Sequence, residues 1–175
     1  MQVIFLYGPP AAGKHTIGSL VSEKTGIPLF HNHLTVDLAT SLFEFATPGF
    51  IALREQVWMA AFSSAADVGQ SFIFTFNPEN SVDPGLIERL EAEVTKRGGE
   101  IIYVELLCSD EAVLDRIDNE SRKQFGKLVD KGLYQDLKTG GTFDFPPLPE
   151  PMIQIDTEKL LPDESADKIR TFLLP

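Results

Sequence analysis

The sequence predicts an α/β fold in which helices cover both faces of a parallel β-sheet. Segments typical of strands alternate with segments of helical periodicity along the chain, and this alternation is typical of parallel sheets. The first predicted strand, residues 2–7 (QVIFLY), is almost entirely apolar, as expected of a strand that is buried on both faces. A glycine-containing turn follows this strand and leads into a helical segment.

The order of the predicted elements follows from apolar runs and turn signals. Five segments have the composition of strands: residues 2–7, 27–30, 71–76, 101–107 and 152–155. Helices are predicted at 14–25, 34–45 and 50–68, with further helices opening at Asp83, Ser109 and Pro162. The chain has no internal repeat and no linker-like segment, so we expect one domain over residues 1–175.

Composition and charge exclude several classes of partner. The net charge is −11 and basic residues form no cluster, whereas a nucleic-acid binder needs a basic face to neutralise phosphates. The lone Cys108 cannot form an internal disulfide and fits a reducing compartment. The first apolar segment is short and has no basic residues before it, unlike a signal peptide. We expect a cytoplasmic protein with no nucleic-acid or membrane partner, either a monomer or a homodimer.

The strongest functional pattern is the segment 8–16 (GPPAAGKHT), between the first predicted strand and the first predicted helix. Its two glycines stand at the spacing of a phosphate-binding P-loop, with a lysine directly after the second. Glycine lets the backbone approach phosphate oxygens, and the start of the helix presents unpaired N–H groups and a positive dipole end. The residues expected to bind the nucleotide are Gly8, Ala11, Ala12, Gly13, Lys14, His15 and Thr16.

Two residues of the loop have specific predicted roles. Lys14 is expected to bridge the terminal phosphates of ATP during catalysis, and the hydroxyl of Thr16 is expected to bind Mg²⁺. The usual pattern places Ser or Thr directly after the lysine, whereas here His15 follows Lys14 and the hydroxyl comes one position later. In this respect the loop resembles that of adenylate kinase and its nucleoside-monophosphate kinase relatives, which also carry Lys-x-Thr.

The resemblance extends to the group of shikimate, gluconate and nucleoside-monophosphate kinases. The guanine-reading motif Asn-Lys-x-Asp and the switch motif Asp-x-x-Gly of GTPases do not occur in the sequence. Membership of this kinase group implies a three-layer α/β/α P-loop fold with a five-stranded parallel sheet in the order 2-3-1-4-5. It also implies an ATP-dependent phosphotransferase that acts on a small-molecule acceptor with Mg²⁺.

Two stretches resemble the arginine-bearing lid of gluconate and shikimate kinases: residues 114–117 (LDRI) and 121–126 (SRKQFG). The resemblance implies a lid over about 116–130, with Arg116 and Arg122 as catalytic residues. A closing lid would supply positive charge to the transferring phosphoryl group and exclude water. Two other basic residues of this segment are alternative contributors: Lys123 and Lys127.

The acceptor is expected to bind to the region of about 31–68, because this kinase group places its substrate-binding helices between the second and third strands. His31 and His33 follow the second predicted strand, at the sheet edge where open α/β sheets bind ligands, and they are predicted to contact the acceptor. Asp37 resembles, by position, the aspartate that activates the acceptor hydroxyl or helps to hold magnesium in shikimate kinase and chloramphenicol phosphotransferase. It is the first candidate base and His33 is the second.

Arg54 is the third predicted acceptor-binding residue. It is the only basic residue between Lys24 and Arg89, and it resembles the helix arginine with which shikimate kinase binds its anionic acceptor. An ion pair with Glu55 or Glu44 on the helix surface is the alternative.

Two other functions remain open at the level of the sequence. The third predicted strand ends at residues 75–77 (TFN), without the acid of a standard Walker B motif, so magnesium ligands beyond Thr16 are not predicted. A regulatory protein that binds nucleotide and hydrolyses ATP slowly is therefore one alternative. A nucleoside-monophosphate kinase is another, although residues 77–80 (NPEN) replace the Asp-Gly-x-Pro-Arg type of segment that such enzymes carry.

Overall fold

A computed structural model of the chain describes residues 1–122 and 127–173. Within these residues a five-stranded sheet has the order β2-β3-β1-β4-β5, with every neighbouring pair parallel. The strands are β1 (Gln2–Tyr7), β2 (Leu29–Phe30), β3 (Phe72–Phe76), β4 (Glu100–Leu107) and β5 (Ile153–Asp156). The predicted fold class and strand order are confirmed.

Helices cover both faces of the sheet. They are α1 (Lys14–Thr25), α2 (Asn32–Thr40), α3 (Pro48–Val68), α4 (Leu86–Thr95), α5 (Asp110–Arg116), α6 (Lys131–Thr139) and α7 (Pro162–Arg170). A 3₁₀ turn, Glu120–Arg122, follows α5. The helices α1 and α7 pack together on one face and α3 and α4 on the other, which gives the expected three layers. None of the described helices is both long and apolar enough to span a membrane.

The central strand β1 explains why the sheet is covered on both sides. Its side chains are all buried, and they alternate between the faces, as the two-residue period of a strand requires. Val3 and Phe5 join an aromatic cluster with Trp58 of α3, while Ile4 packs with Ile17 of α1. A continuous apolar strand is thus the expected sequence for this position in the sheet.

The end of α2 differs from the sequence-based expectation. The helix was predicted over 34–45, but it spans Asn32–Thr40 and is followed by turns. The hydroxyl of Thr40 donates to the carbonyl of Val36 (2.9 Å), and that of Ser41 donates to the carbonyl of Leu38 (2.6 Å). Such side-chain bonds compete with the backbone hydrogen bonds that would continue a helix. Similarly, α4 begins at Leu86 and not at Asp83, because Asp83 accepts the N–H of Gly85 in a turn (2.8 Å).

Candidate active site

The segment 8–16 forms a loop between the carboxyl end of β1 and the start of α1. Gly8 (φ +150°) and Gly13 (φ +92°) have positive φ angles. A Cβ atom on Gly8 would lie 2.5 Å from the carbonyl oxygen of Leu106, so only glycine allows the loop to lie this close to β4. No side chain caps α1 at Gly13, and its first-turn N–H groups therefore remain available to an anion.

Lys14 folds back along this loop. Its Nζ donates to the carbonyl oxygens of Gly8 (2.7 Å) and Pro9 (2.7 Å) and to Oδ1 of Asn77 (3.3 Å). Burial and, to a smaller extent, the neighbouring charge of Arg122 lower the pKa of Lys14 to about 7. A bound anion would offset both effects, because it favours the charged ammonium. The ammonium group is thus held beside the loop at the place where phosphates are expected.

A cavity of about 1250 Å³ opens from this loop. It is larger than the roughly 300–1,000 Å³ typical of a site for one small ligand, so it has room for a nucleotide and a second molecule. It extends from the phosphate loop toward α2 and β3 in one direction and toward the loop after β5 in another. The predicted loop residues that line it are Ala11, Ala12, Gly13, Lys14, His15 and Thr16.

The two arginines of the predicted lid line the cavity, and both are held by backbone oxygens. Arg116 donates to the carbonyl (2.9 Å) and the hydroxyl (3.1 Å) of Thr157, in the loop after β5. Arg122 donates to the carbonyls of Ile117 (3.1 Å) and Leu128 (2.9 Å). Arg122 is close enough to Lys14 to affect its pKa, whereas the hydrogen bonds of Arg116 to Thr157 place it on the β5 side of the cavity.

Of the predicted lid, residues 116–122 and 127–130 are described by the structure. Lys123 and the end of the stretch 121–126 lie outside the described residues. Lys127 lines the cavity, and its charge contributes to lowering the pKa values of the three histidines near the loop. The catalytic role of Arg116 and Arg122 stays a prediction.

The three histidines of the chain lie together at the loop's acceptor side. The rings of His15 and His31 meet edge to face with centroids 4.8 Å apart, and those of His31 and His33 are 6.2 Å apart. His31 is the N-cap residue of α2, and His33 lies in its first turn. Burial and the nearby charge of Lys127 lower the pKa of His33 to about 4, so this imidazole is neutral at physiological pH. His15 and His33 line the cavity.

The two candidate bases occupy different environments. Asp37 is exposed on α2 and is not among the residues that line the cavity, whereas His33 lines it. Burial, the largest effect, and the charge of Lys127 lower the pKa of the neighbouring His31. The charge of Asp37 opposes this shift. The structure thus brings the second candidate to the cavity and leaves the first on the surface; the assignment of the base stays a prediction.

Arg54 does not line the cavity. Its side chain is 1% exposed and lies between the rings of Phe50 and Trp58, whose centroids are 5.4 and 5.0 Å from Cζ. Its Nη1 donates to Oε1 of Glu79 at 2.5 Å, and its Nη2 donates to the carbonyl of Ser81 at 3.0 Å. Arg54 therefore contacts an acidic residue of the protein in the interior, and the sequence-based expectation of a direct grip on an anionic acceptor does not match this placement.

Residues after β2 and β3 that were not predicted complete the cavity wall. They are Asn32, Thr75, Asn77 and Glu79. The N–H of Asn32 donates to the hydroxyl of Thr75 (3.0 Å), which ties the start of α2 to β3. Glu79 stands three residues after the end of β3, within the segment 77–80. Its position just beyond the carboxyl end of a central parallel strand was the signal that could have identified it.

No protein-family model matches the chain, and neither does any curated protein. Solved structures do match. A protein from Chloroflexus aurantiacus J-10-fl, proposed to be a kinase, has a TM-score of 0.73 at 20% identity, over 99% of this chain and 98% of that one. APS kinase from Mycobacterium tuberculosis, in complex with AMPPNP and APS, has a TM-score of 0.65 at 14% identity, over 97% and 95%. The chain has the P-loop kinase fold.

A third similar structure is shikimate kinase from Acinetobacter baumannii in complex with shikimate. It has a TM-score of 0.55 at 21% identity, over 97% of this chain and 90% of that one. Each of the three matches extends over 90% or more of both chains. At these identities the similarity establishes the fold.

Proposed function

We propose that the protein is an ATP-dependent phosphotransferase that acts on a small-molecule acceptor through a hydroxyl or carboxylate group. The observation that carries this proposal is the continuity of one cavity, about 1250 Å³ in volume, from the phosphate loop to the start of α2. A nucleotide on the loop would leave the space beside His33 and Asn32 for a second molecule. The similar structures include kinases of small molecules, one with AMPPNP and one with shikimate bound, and this supports the proposal.

The donor end of the cavity would bind and orient the triphosphate. The uncapped start of α1 offers backbone N–H groups to phosphate oxygens and the positive end of the helix dipole. Lys14 would exchange its carbonyl contacts for the terminal phosphates. Arg122 lines the same cavity and its charge lowers the pKa of Lys14. It would add positive charge near the transferring phosphoryl group.

Magnesium is part of the proposal, and the residues present fit it. The hydroxyl of Thr16 lines the cavity and has no hydrogen-bond partner among the described residues. Among those residues, no group of three or more His, Cys, Asp or Glu side chains could hold a metal ion, which fits an ion held mainly by nucleotide phosphates and water. When bound, Mg²⁺ would neutralise charge on the phosphates, with Thr16 as its protein ligand.

The acceptor region is proposed to comprise the residues of about 31–68 together with the segment after β3. His33 is proposed as a base or hydrogen-bonding partner of the acceptor, because it is the neutral imidazole on this wall of the cavity. Phosphoryl transfer needs little proton abstraction in a loose transition state, so positioning of the acceptor matters more here than the strength of the base.

Calorimetry with AMP-PNP and Mg²⁺ tests the nucleotide site, and a screen of metabolites for faster ADP release then tests the transfer reaction. We expect a heat of association, followed by stimulation of ADP release by one class of acceptor. The panel contains sugars, organic acids, nucleosides, antibiotics and each nucleoside monophosphate. If neither ATP nor GTP binds, the enzyme assignment is wrong. Nucleotide binding with equal ADP release across the whole panel would instead indicate a regulatory protein that hydrolyses ATP slowly.

A further inference from the structure

Glu79 is the acidic side chain at the acceptor end of the cavity. It lines the cavity two residues after Asn77, whose Oδ1 lies 3.3 Å from Nζ of Lys14. The charge of Glu79 raises the pKa of Lys14, against the larger lowering effect of burial. Of the other acids that line the cavity, Asp130 caps α6 (2.7 Å to the N–H of Leu133) and Glu158 accepts the N–H of Ser109 (2.8 Å).

The carboxylate of Glu79 is fixed through one of its oxygens. Oε1 accepts hydrogen bonds from Nη1 of Arg54 (2.5 Å) and from the hydroxyl of Ser81 (2.9 Å). Oε2 has no hydrogen-bond partner among the described residues. Because the side chain remains 17% exposed and lines the cavity, Oε2 is the oxygen available to a ligand.

The arginine that fixes Glu79 is not available to a ligand. Arg54 is 1% exposed, and its guanidinium group is stacked between two aromatic rings of α3. Glu55, 3.9 Å away, adds a second acid to its surroundings. Arg54 therefore acts as a positioning residue for Glu79, and its charge is already compensated inside the protein.

The other polar groups on this wall carry no charge. Oδ1 of Asn32 is buried and has no hydrogen-bond partner among the described residues, which is costly unless a ligand donates to it. His33 remains neutral because burial and, to a smaller extent, the nearby charge of Lys127 lower its pKa to about 4. Val36 and Phe45 supply apolar surface. The wall thus combines one carboxylate, one unsatisfied acceptor and neutral or apolar groups.

Three of the cations that line the cavity, Lys14, Arg122 and Lys127, are close enough to one another to affect their pKa values, and the charge of Lys127 also reaches His33. Arg122 lowers the pKa values of both Lys14 and Lys127, which shows that these three positive charges repel one another. A nucleoside triphosphate on the loop would relieve this repulsion. We therefore assign these cations to the nucleotide, and the wall around Glu79 to the acceptor.

We propose that the acceptor is a hydroxylated molecule without an anionic group, either neutral or amine-bearing, whose hydrogen-bond donors contact Glu79 and Asn32. This inference rests on the proposed phosphotransferase function. An anionic acceptor would bring its charge against a carboxylate that cannot turn away, because Arg54 and Ser81 hold it. Such a like-charge contact is unfavourable and therefore discriminates against anionic ligands.

The test measures binding of matched compounds to the protein loaded with AMP-PNP and Mg²⁺. Three pairs differ mainly in one anionic group: methyl shikimate and shikimate, D-glucitol and D-gluconate, and a nucleoside and its monophosphate. D-Glucosamine and D-glucose test the amine. We expect the member without the anionic group to bind about tenfold or more tightly than its counterpart in at least one of the three pairs, measured by calorimetry; tighter binding of D-glucosamine than of D-glucose would indicate an amine-bearing acceptor.

Variants then test whether Glu79 causes the preference. Glu79→Gln keeps the shape and removes the charge, so the preference is expected to fall below about threefold. Ser81→Ala removes one of the two donors that hold Oε1 and should reduce the preference partially. Glu88→Gln changes an exposed acid of α4 that does not line the cavity, and it should leave the preference unchanged.

The outcomes separate this inference from the proposed function. If AMP-PNP does not bind, the phosphotransferase proposal is wrong, and the acceptor assignment is wrong with it. If AMP-PNP binds but the anionic members bind more tightly, or no member of any pair binds, only the acceptor class is wrong. If Glu79→Gln abolishes the Mg²⁺ dependence of AMP-PNP binding, Glu79 serves the metal and the inference is overturned.

Discussion

The two ends of the cavity are built in different ways. At the donor end, the residues that would hold phosphate belong to one continuous segment, 8–16, and their geometry follows from two glycines and the start of a helix. At the acceptor end, the wall depends on contacts between distant residues, such as Asn32 with Thr75 and Arg54 with Glu79. The first kind of site can be recognised from sequence, whereas the second becomes visible only in the folded chain.

The two ends also differ in how their charges are balanced. Lys14 is half-buried beside other cations, and its pKa is lowered to about 7 despite the charge of Glu79, so a bound anion would complete the compensation of its charge. Arg54 is more deeply buried, at 1% exposure, and Glu79 compensates its charge within the protein. We therefore expect substitutions at the donor end to affect ligand binding and catalysis, and substitutions of the Arg54–Glu79 pair to affect stability as well.

The largest expected effect is that of Lys14→Ala on catalysis. Loss of the ammonium group should lower the rate of phosphoryl transfer by roughly 10³-fold and change the free energy of unfolding by less than about 1 kcal/mol. The control is Lys96→Ala, an exposed lysine outside the cavity, which should affect neither quantity. Wild-type activity of Lys14→Ala in a coupled ADP assay would remove the phosphate loop from the mechanism.

Arg54→Ala should instead destabilise the fold. It removes a buried cation and leaves Glu79 without its main partner; because Glu79 retains access to water, the cost is expected at the low end for buried pairs, about 3 kcal/mol. Arg89→Ala is the matched control, since Arg89 also pairs with an acid (Asp83, 3.1 Å) but is 47% exposed, and its loss should cost below about 0.5 kcal/mol. Urea unfolding measures both. Equal stabilities of the two variants would contradict a buried, structural role for this ion pair.

A smaller loss of stability is expected at the start of the phosphate loop. Gly8→Ala would place a Cβ atom 2.5 Å from the carbonyl oxygen of Leu106, and relieving that contact should cost about 2 kcal/mol. Gly26→Ala is the control: it also has a positive φ (+76°), but nothing lies within 4 Å of its Cβ, so it should cost only about 1 kcal/mol. Thermal unfolding distinguishes the two. If both variants lose the same stability, the close approach to β4 does not constrain the loop.

Sequence patterns predicted the fold and the donor end because both depend on local rules. The apolar strand before the loop, the glycines and Lys14 all lie within residues 2–16, and the strand order followed from the resemblance to a kinase group. The acceptor end was predicted less well. Arg54 was expected to contact the ligand, and its burial depends on the rings of Phe50 and Trp58 on neighbouring turns of the same helix, which periodicity alone did not reveal.

Glu79 was missed for a related reason. The sequence shows an acid after β3, but the orientation of its side chain depends on hydrogen bonds from Arg54, 25 positions earlier, and from the hydroxyl of Ser81. Asp37 was predicted from a resemblance in position to an aspartate of related kinases, and in the structure it lies exposed on α2. For both Glu79 and Asp37, spacing along the chain indicated the region of the fold, but tertiary packing determined whether the side chain lies in the cavity or on the surface.

The smallest expected effect is a pH dependence that also distinguishes the two ends. The free protein holds Lys14 with a pKa of about 7, and bound phosphates raise that pKa because they favour the ammonium. Above pH 7 nucleotide binding therefore takes up a proton, and affinity should fall as pH rises through 7, by at most about tenfold per pH unit. At pH 8 a phosphate group is already ionised, so an uptake measured there comes from the protein.

Calorimetry of AMP-PNP binding at pH 8, in two buffers with different ionisation enthalpies, measures this proton uptake directly. We expect a buffer-dependent enthalpy for the wild type and a buffer-independent one for Lys14→Ala. Glu79→Gln should retain the uptake, because Glu79 lies at the acceptor end, although its loss would lower the pKa of Lys14 slightly. A buffer-independent enthalpy in the wild type would mean that Lys14 is already charged before nucleotide binds, and that the donor end, like Arg54, has its charge compensated within the protein.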